Sequence, residues 1–287
     1  MKRIRLTVAY DGTAYCGFQL QPDLPTVEGE LNRALSELTG ETVTVIGASR
    51  TDSGVHAQAN CAVFDTDSAI PGERFFAAVN TKLPADIRVT DSREVPADWH
   101  PRRQDCRKTY EYHIDPSYVE DPLKARYCMH WPRQMCLADM RKAAQYLVGE
   151  HDFTSFANPS SQILQEGGSA VRTLYAVEVI EKEDSRQKTG DPNDGRQPAV
   201  RPEIVIRVTG NGFLYNMVRI IAGTLMDVGT GRFAPEDIKT MLGARDRTKA
   251  GMTAQPKGLT LTEIVYPEDP AKNRTGDPAG AAPEVCF

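Results

Sequence analysis

The residues best equipped for chemistry lie in one short run, Gly47-Ala48-Ser49-Arg50-Thr51-Asp52-Ser53-Gly54-Val55-His56-Ala57. Glycines and small polar residues mark it as a loop, from which side chains can project toward a ligand. Asp52 can act as a nucleophile or a base, since carboxylates form covalent intermediates at sugar carbons. A guanidinium beside it would favour the ionised form at neutral pH. Arg50 and Arg219 are the two candidates for that partner. Arg219 interrupts an otherwise apolar stretch, NGFLYNMVRIIAGTLMDVG. An arginine there either snorkels to water or faces a carboxylate or phosphate, and its apolar neighbours favour the second. His56 and His151 stand alone and read as structural. There is no serine triad, phosphate loop or dinucleotide fingerprint, and no Asp, Glu or His cluster has metal-ligand spacing. The expected mechanism uses neither a metal nor a cofactor.

Regular elements must position these residues. Residues 3–10 alternate, with Ile4, Leu6, Val8 and Tyr10 on one face, which predicts a strand with one buried face. Thr26 is a candidate N-cap, followed by Val27, Leu31, Ala34, Leu35 and Leu38 at helical spacing, with Gly40 as the stop. Strands over 42–48 and 57–66, a helix opening at Pro71 with Phe75, Phe76, Val79 and Leu83, and a strand over 86–95 complete the unit. Its order is β-α-β-β-α-β, the split βαβ or ferredoxin-like arrangement. The second half repeats that order more loosely: a strand over 107–115, a helix over 136–148, strands over 171–182 and 202–209, helices over 213–228 and 235–243, and a strand over 259–266. An α+β fold of two similar halves is expected. Residues 183–202 carry glycine, proline and charge without apolar periodicity and read as a long hairpin loop, and residues 267–287 read as a frayed tail.

Composition limits the class of protein. With 287 residues, 40% apolar and 25% charged, the chain is globular and long enough for two domains. The opening MKRIRLTVAYDG has an apolar stretch broken by Asp11, unlike a secretory signal. No apolar run of about 18 residues occurs, so no membrane span is expected. Six scattered cysteines without a paired C-x-x-C read as free thiols, and the expected compartment is the cytoplasm. A net charge of -5 argues against indiscriminate coating of nucleic acid. Two local patches nevertheless suit RNA. Arg102, Arg103, Arg107 and Lys108 face only Asp105 and Glu111 over residues 99–112, interleaved with Trp99, Tyr110 and Tyr112. Arg245, Arg247, Lys249 and Lys257 face only Asp246 over residues 245–257. Basic side chains hold phosphates and aromatic rings stack on exposed bases.

The run Ser49-Arg50-Thr51-Asp52-Ser53-Gly54-Val55-His56-Ala57 resembles the signature of the tRNA pseudouridine synthase A family. The resemblance extends through Tyr10-Asp11-Gly12, Tyr15-Cys16-Gly17-Phe18-Gln19, His100-Pro101-Arg102, Lys108-Thr109-Tyr110-Glu111-Tyr112 and His151-Asp152-Phe153-Thr154-Ser155-Phe156. It continues in Asn216-Met217-Val218-Arg219 and Pro256-Lys257-Gly258-Leu259. It implies two ferredoxin-like halves in one mostly antiparallel sheet flanked by helices, divided as residues 1–105 and 106–267 with a tail at 268–287. It further implies a homodimer that binds tRNA and isomerises uridine to pseudouridine at positions 38, 39 and 40 of the anticodon stem-loop. Carried over by position, Asp52 matches the nucleophile, Tyr110 the tyrosine stacked on the target uracil, and Arg219 the arginine paired with the aspartate. Arg50 matches the arginine that helps extrude the base, and Leu259 a residue packing near it. Arg102, Arg103, Lys108, Arg245 and Arg247 are the expected RNA-binding residues. Two rivals are a carboxylate-based glycosidase, for which the motifs offer Asp52 no second carboxylate, and a catalytically silent RNA-binding protein of the same fold.

Overall fold

The structure, a computed structural model, describes residues 1–182 and 201–269. The first half comprises β1 (Lys2–Tyr10), α1 (Val27–Thr39), β2 (Ile46–Gly47), β3 (His56–Thr66), α2 (Phe75–Val79) and β4 (Ile87–Val95). Then follow β5 (Arg107–Asp115), β6 (Met129–His130), α3 (Leu137–Gln145), β7 (Gly149–Asp152), α4 (Gln162–Gln165) and β8 (Val171–Lys182). The chain continues through β9 (Glu203–Gly210), α5 (Met217–Gly229), α6 (Asp237–Ala244) and β10 (Leu259–Val265). The expected loop at 183–202 falls almost wholly outside the described residues, as does most of the expected tail at 267–287.

All ten described strands join one sheet in the order β4-β1-β3-β10-β5-β9-β8-β7, with β2 on β3 and β6 on β5. The neighbours β4-β1-β3-β2 and β10-β5-β9-β8 repeat one antiparallel pattern, that of the split βαβ unit. The two patterns meet where β10 runs parallel to β3, pairing Thr260 with His56 and Leu261 with Ala57. That junction directly follows the Asp52 loop. The fold is α+β, a large and mostly antiparallel sheet flanked by helices.

Local chemistry explains where the elements depart from their expected lengths. The strand expected over 42–48 shrinks to two residues because α1 captures its backbone donors: Val43 N donates to Ser36 Oγ and Val45 N to Asn32 Oδ1. The helix expected from Pro71 keeps only five residues in α2, and Phe76 turns partly outward. Asn80 ends it, its amide bonded to both backbone groups of Val89 on β4. α1 runs as expected, with Thr26 Oγ1 accepting from Gly29 N and Gly40 in the left-handed region at φ 74°. α5 starts at Met217 rather than 213 because Asn216 is left-handed, at φ 61°. β6, β7 and α4, each four residues or fewer, are too short for periodicity to reveal.

The alternation in β1 buries Ile4, Leu6 and Val8 completely. The opposite face is covered as well at Arg5, whose guanidinium lies against the rings of Trp99 and Tyr266 and pairs with Asp269 at 2.7 Å. α5 is buried along nearly its whole length. A Cβ on Gly223 would stand 2.0 Å from Met252 O, so glycine here lets the 250–254 segment lie directly on the helix. Gly223→Ala is therefore expected to cost about 1–3 kcal/mol by overpacking, read as a lowered midpoint in denaturant. A wild-type midpoint would show that the segment yields freely.

Among the described residues Cys16, Cys61, Cys106, Cys128 and Cys136 are free thiols. No described helix is long and apolar enough to cross a membrane.

Candidate active site

The chain leaves β2 at Gly47 and must turn back into β3 at His56, which sets residues 48–55 beside the β3–β10 junction, with Ala48, Ser49, Thr51 and Val55 buried and Arg50 and Ser53 exposed. The turn is tied on several sides. Phe18 N donates to Thr51 O, Val55 N to Asp52 O, and Gly54 N to Tyr15 O. Gly17, at φ 96°, has space for no Cβ because Thr51 O would lie 2.7 Å away. Gly54 is left-handed at φ 76°, and Pro256 from the segment before β10 packs against it.

Asp52 meets Arg219 in the middle of this arrangement. Arg219 Nη1 donates to Asp52 Oδ2 at 3.0 Å, and both side chains are 15% exposed. Of the two partners offered by the sequence, Arg219 is the one in contact. The guanidinium is itself fixed: Nη1 also donates to Asn216 Oδ1 at 2.9 Å and Nε to Ala254 O at 2.8 Å. Burial pushes the Asp52 carboxyl above its ordinary value, and Arg219 offsets only part of that. The result is a carboxylate that binds a proton more readily than an exposed one, yet still sits beside a positive charge.

Tyr110 projects from β5, buried at 8% exposure, with its ring edge-on to Phe213 at 5.1 Å between centroids. Burial pushes its phenol up to about 12. Ser49 draws it back slightly across a contact that falls short of hydrogen-bond geometry, and the Asp52 charge adds to the rise. At neutral pH this hydroxyl is protonated. Leu259, the first residue of β10, is 5% exposed and lies opposite Tyr112.

Arg50 is exposed and does not reach Asp52. Its one hydrogen bond among the described residues is a long one, 3.4 Å, to Gln162 of α4 across the junction. Together with Arg102, Glu28 and Phe18 it lines a cavity of about 220 Å³. Arg102 and Arg103 are exposed, whereas Lys108 is not part of that surface. Its stem is buried and Nζ donates to Ala48 O at 3.0 Å, holding the base of the Asp52 loop from beneath. A strand residue of β5 points to alternate faces, which separates Lys108 from its charged neighbours in sequence. Arg245 is exposed and pairs with Asp152 at 3.0 Å, and Arg247 is half-buried, bonded to Thr253 Oγ1.

His56 is held on both ring nitrogens as a structural residue, Nε2 against Arg126 O and Nδ1 accepting from Gly12 N beside the Asp11 carboxylate. His151 bonds to Val148 O. No group of three or more His, Cys, Asp or Glu among the described residues is placed to hold a metal ion. No role was expected for Asn216, which lies in the matched motif, or for Phe213 and Ala254. Asn216 lies one turn before Arg219, an i,i+3 spacing that was available as a signal. Phe213 and Ala254 gave none, because their parts depend on chain folding at a distance.

Residues 6–102 and 143–267 match the tRNA pseudouridine synthase family model. The tRNA pseudouridine synthase A of Clostridium acetobutylicum is 40% identical over 266 residues, spanning 93% of this chain and 100% of that one. Those of Brevibacillus brevis and Ruminiclostridium cellulolyticum are each 44% identical over 266 residues, with the same coverage. The chain therefore belongs to the tRNA pseudouridine synthase family, whose members isomerise uridine to pseudouridine.

Proposed function

We propose that this protein acts on tRNA, isomerising uridine at positions 38, 39 and 40 of the anticodon stem-loop, with Asp52 as the nucleophile. The observation that carries this reading is the largely buried pair of Asp52, on the loop before β3, with Arg219 of α5, beside Tyr110. The reaction breaks the N1–C1′ bond, turns the uracil, and joins C5 to C1′. The proton on C5 leaves and N1 ends with one, so atoms balance without redox or group transfer. The base must first leave its stack, at a cost of a few kcal/mol that is least near a loop. Arg50, exposed and loosely held, fills the vacated space. Tyr110 supports the flipped ring, its hydroxyl neutral, and Leu259 packs near it. Arg219 holds Asp52 ionised and aimed, and Asp52 then initiates cleavage. Among the described residues the charged group acting on Asp52 is Arg219 and no second carboxylate, which favours this over a two-carboxylate glycosidase. A silent RNA-binding protein would have no use for a buried carboxylate whose burial works against its charge.

On this reading the chain divides into halves at residues 105 and 106 and works in the cytoplasm as a homodimer. The exposed apolar residues Tyr118, Val119 and Leu123 offer surface for a second copy. Because Asp52 must be ionised, turnover is expected to fall as pH drops through its raised pKa, with an inflection above the 3.8 of an ordinary aspartate. A profile flat down to pH 4 would contradict that. The direct test is tritium release from C5-labelled uridine in tRNA: release by the wild type and none by Asp52→Asn supports the reading, and equal release refutes it.

The RNA surface has its own test. Arg102→Ala and Arg245→Ala are each expected to lower the slope of log affinity against log salt by about one unit or slightly less, as loss of one phosphate contact does. Unchanged slopes for both would place the RNA elsewhere.

A further inference from the structure

We propose that Asn60 is a positioning residue for the catalytic loop, clamping Ser49 directly and Thr51 through Tyr10 so that Asp52 is held toward Arg219. The proposal rests on the assignment of Asp52 as the reacting carboxylate. Asn60 sits within β3 and is wholly buried. An asparagine amide can fill two donor and two acceptor positions, and here all four are used. Oδ1 accepts from Ser49 N at 3.3 Å and from Cys61 N at 2.9 Å. Nδ2 donates to Ser49 O at 3.0 Å and to the Tyr10 hydroxyl at 3.2 Å. Tyr10 in turn shares a 2.7 Å hydrogen bond with Thr51 Oγ1.

Thus Ser49 is gripped at both its backbone groups, Thr51 at its side chain, and Arg50 between them is left free to reach out. A loop carrying a nucleophile has to hold its reacting atom within a fraction of an ångström, because displacement by about 1 Å can cost about 10²-fold in rate. The strands beneath supply that rigidity only if something couples loop to sheet; Lys108 and Cys61 O hold Ala48 at its base, and Asn60 is the coupling that reaches Ser49 and, through Tyr10, Thr51. The rest of the molecule contains a matched control. Asn80 makes the same two-sided clamp on one backbone residue, Val89 of edge strand β4, with bonds of 2.8 and 2.9 Å, and nothing in it touches the Asp52 loop.

The test compares Asn60→Asp, Asn60→Ala, Tyr10→Phe and Asn80→Ala in single-turnover assays on unmodified tRNA, with tRNA affinity and melting temperature measured on each. Asn60→Asp keeps the acceptor and removes both donations, and Asn60→Ala removes all four bonds. Both are expected to lower the rate by about 10²-fold, while affinity changes by less than about threefold, since affinity comes from many phosphate contacts. In Asn60→Ala the loosened loop admits water to Asp52, so the acid limb of its rate profile is expected to move to lower pH; Asn60→Asp is read by rate alone, because its added carboxylate would push the Asp52 carboxyl the other way. Asn80→Ala is expected to lower the melting temperature and leave both rate and limb at their wild-type values.

Asn60 variants that melt early but keep the wild-type rate and acid limb would overturn the proposal, since they would then behave as Asn80→Ala does. Should Asn60→Ala fail to fold, Tyr10→Phe decides: it keeps the ring and removes only the hydroxyl between Asn60 and Thr51. A fall of about tenfold with the limb shifted the same way supports the clamp, and a wild-type profile refutes it. Asp52→Asn, run alongside, separates the two claims. Turnover by that variant would remove the role of Asp52 itself, whereas a dead Asp52→Asn beside unaffected Asn60 and Tyr10 variants would remove only the clamp.

Discussion

Asp52→Asn is expected to lower turnover by roughly 10⁴-fold or more, the scale on which removal of a nucleophile acts, while tRNA affinity stays near wild type. It is also expected not to lower stability. The carboxyl protonates more readily in the folded protein than in the unfolded chain, because burial outweighs the pull of Arg219. A group with its folded pKa raised contributes stability that is fully present below its unfolded pKa and lost as pH rises through the folded one. At neutral pH the ionised Asp52 is thus a liability that the neutral amide lacks. Arg219 keeps its bonds to Asn216 and Ala254 in the variant. Thermal melts at pH 7 check this: an unchanged or higher midpoint is expected, and a clear fall would show that the ion pair stabilises the fold.

Arg219→Met is expected to be damaging on both counts. It removes the one cation bonded to Asp52 among the described residues and leaves a carboxylate that is 15% exposed. Breaking such a pair from one side typically costs about 3 kcal/mol or more. Asp52 can evade part of that cost by taking a proton, so its folded pKa rises further. By the same linkage, the deficit of Arg219→Met against wild type is expected to grow as pH rises through that pKa and to shrink in acid. Turnover is expected to fall, because the carboxyl loses the cation that favours its ionised form and aims it. The double variant Asp52→Asn with Arg219→Met is expected to recover much of the lost stability and none of the turnover. Denaturant midpoints across pH 5–8 would show the pattern. A deficit independent of pH, or no recovery in the double variant, would mean that Arg219 acts through packing alone.

The Asp52 loop was legible in the sequence because its glycines, small residues and charges mark a loop that presents side chains, although the same residues also suit an ordinary surface turn and the family resemblance decided between them. The strands β1, β3, β5 and β10 and the helix α1 were legible because alternation or helical spacing runs long enough in each. What stayed hidden depends on long-range contact. Val43 and Val45 read as a strand by type, but Ser36 and Asn32 of α1 take their backbone donors. Lys108 read as one more surface cation beside Arg107, until the pleat of β5 turned it inward onto Ala48 O. By residue type and spacing alone Arg50 and Arg219 were equivalent partners for Asp52; the family resemblance favoured Arg219, and the closure of α5 against the loop puts it in contact. Asn60 carried no pattern at all, since a single polar residue in a strand says nothing about which backbone it will bind.

The central claim is that this chain makes pseudouridine in the anticodon stem-loop through Asp52. Its most direct test is nucleotide-resolution mapping of pseudouridine in an unmodified tRNA transcript after incubation with the wild type and with Asp52→Asn. Pseudouridine is expected at uridines among positions 38, 39 and 40 with the wild type and at none of them with the variant. Pseudouridine confined to other positions, none with the wild type, or equal product from both proteins would contradict it.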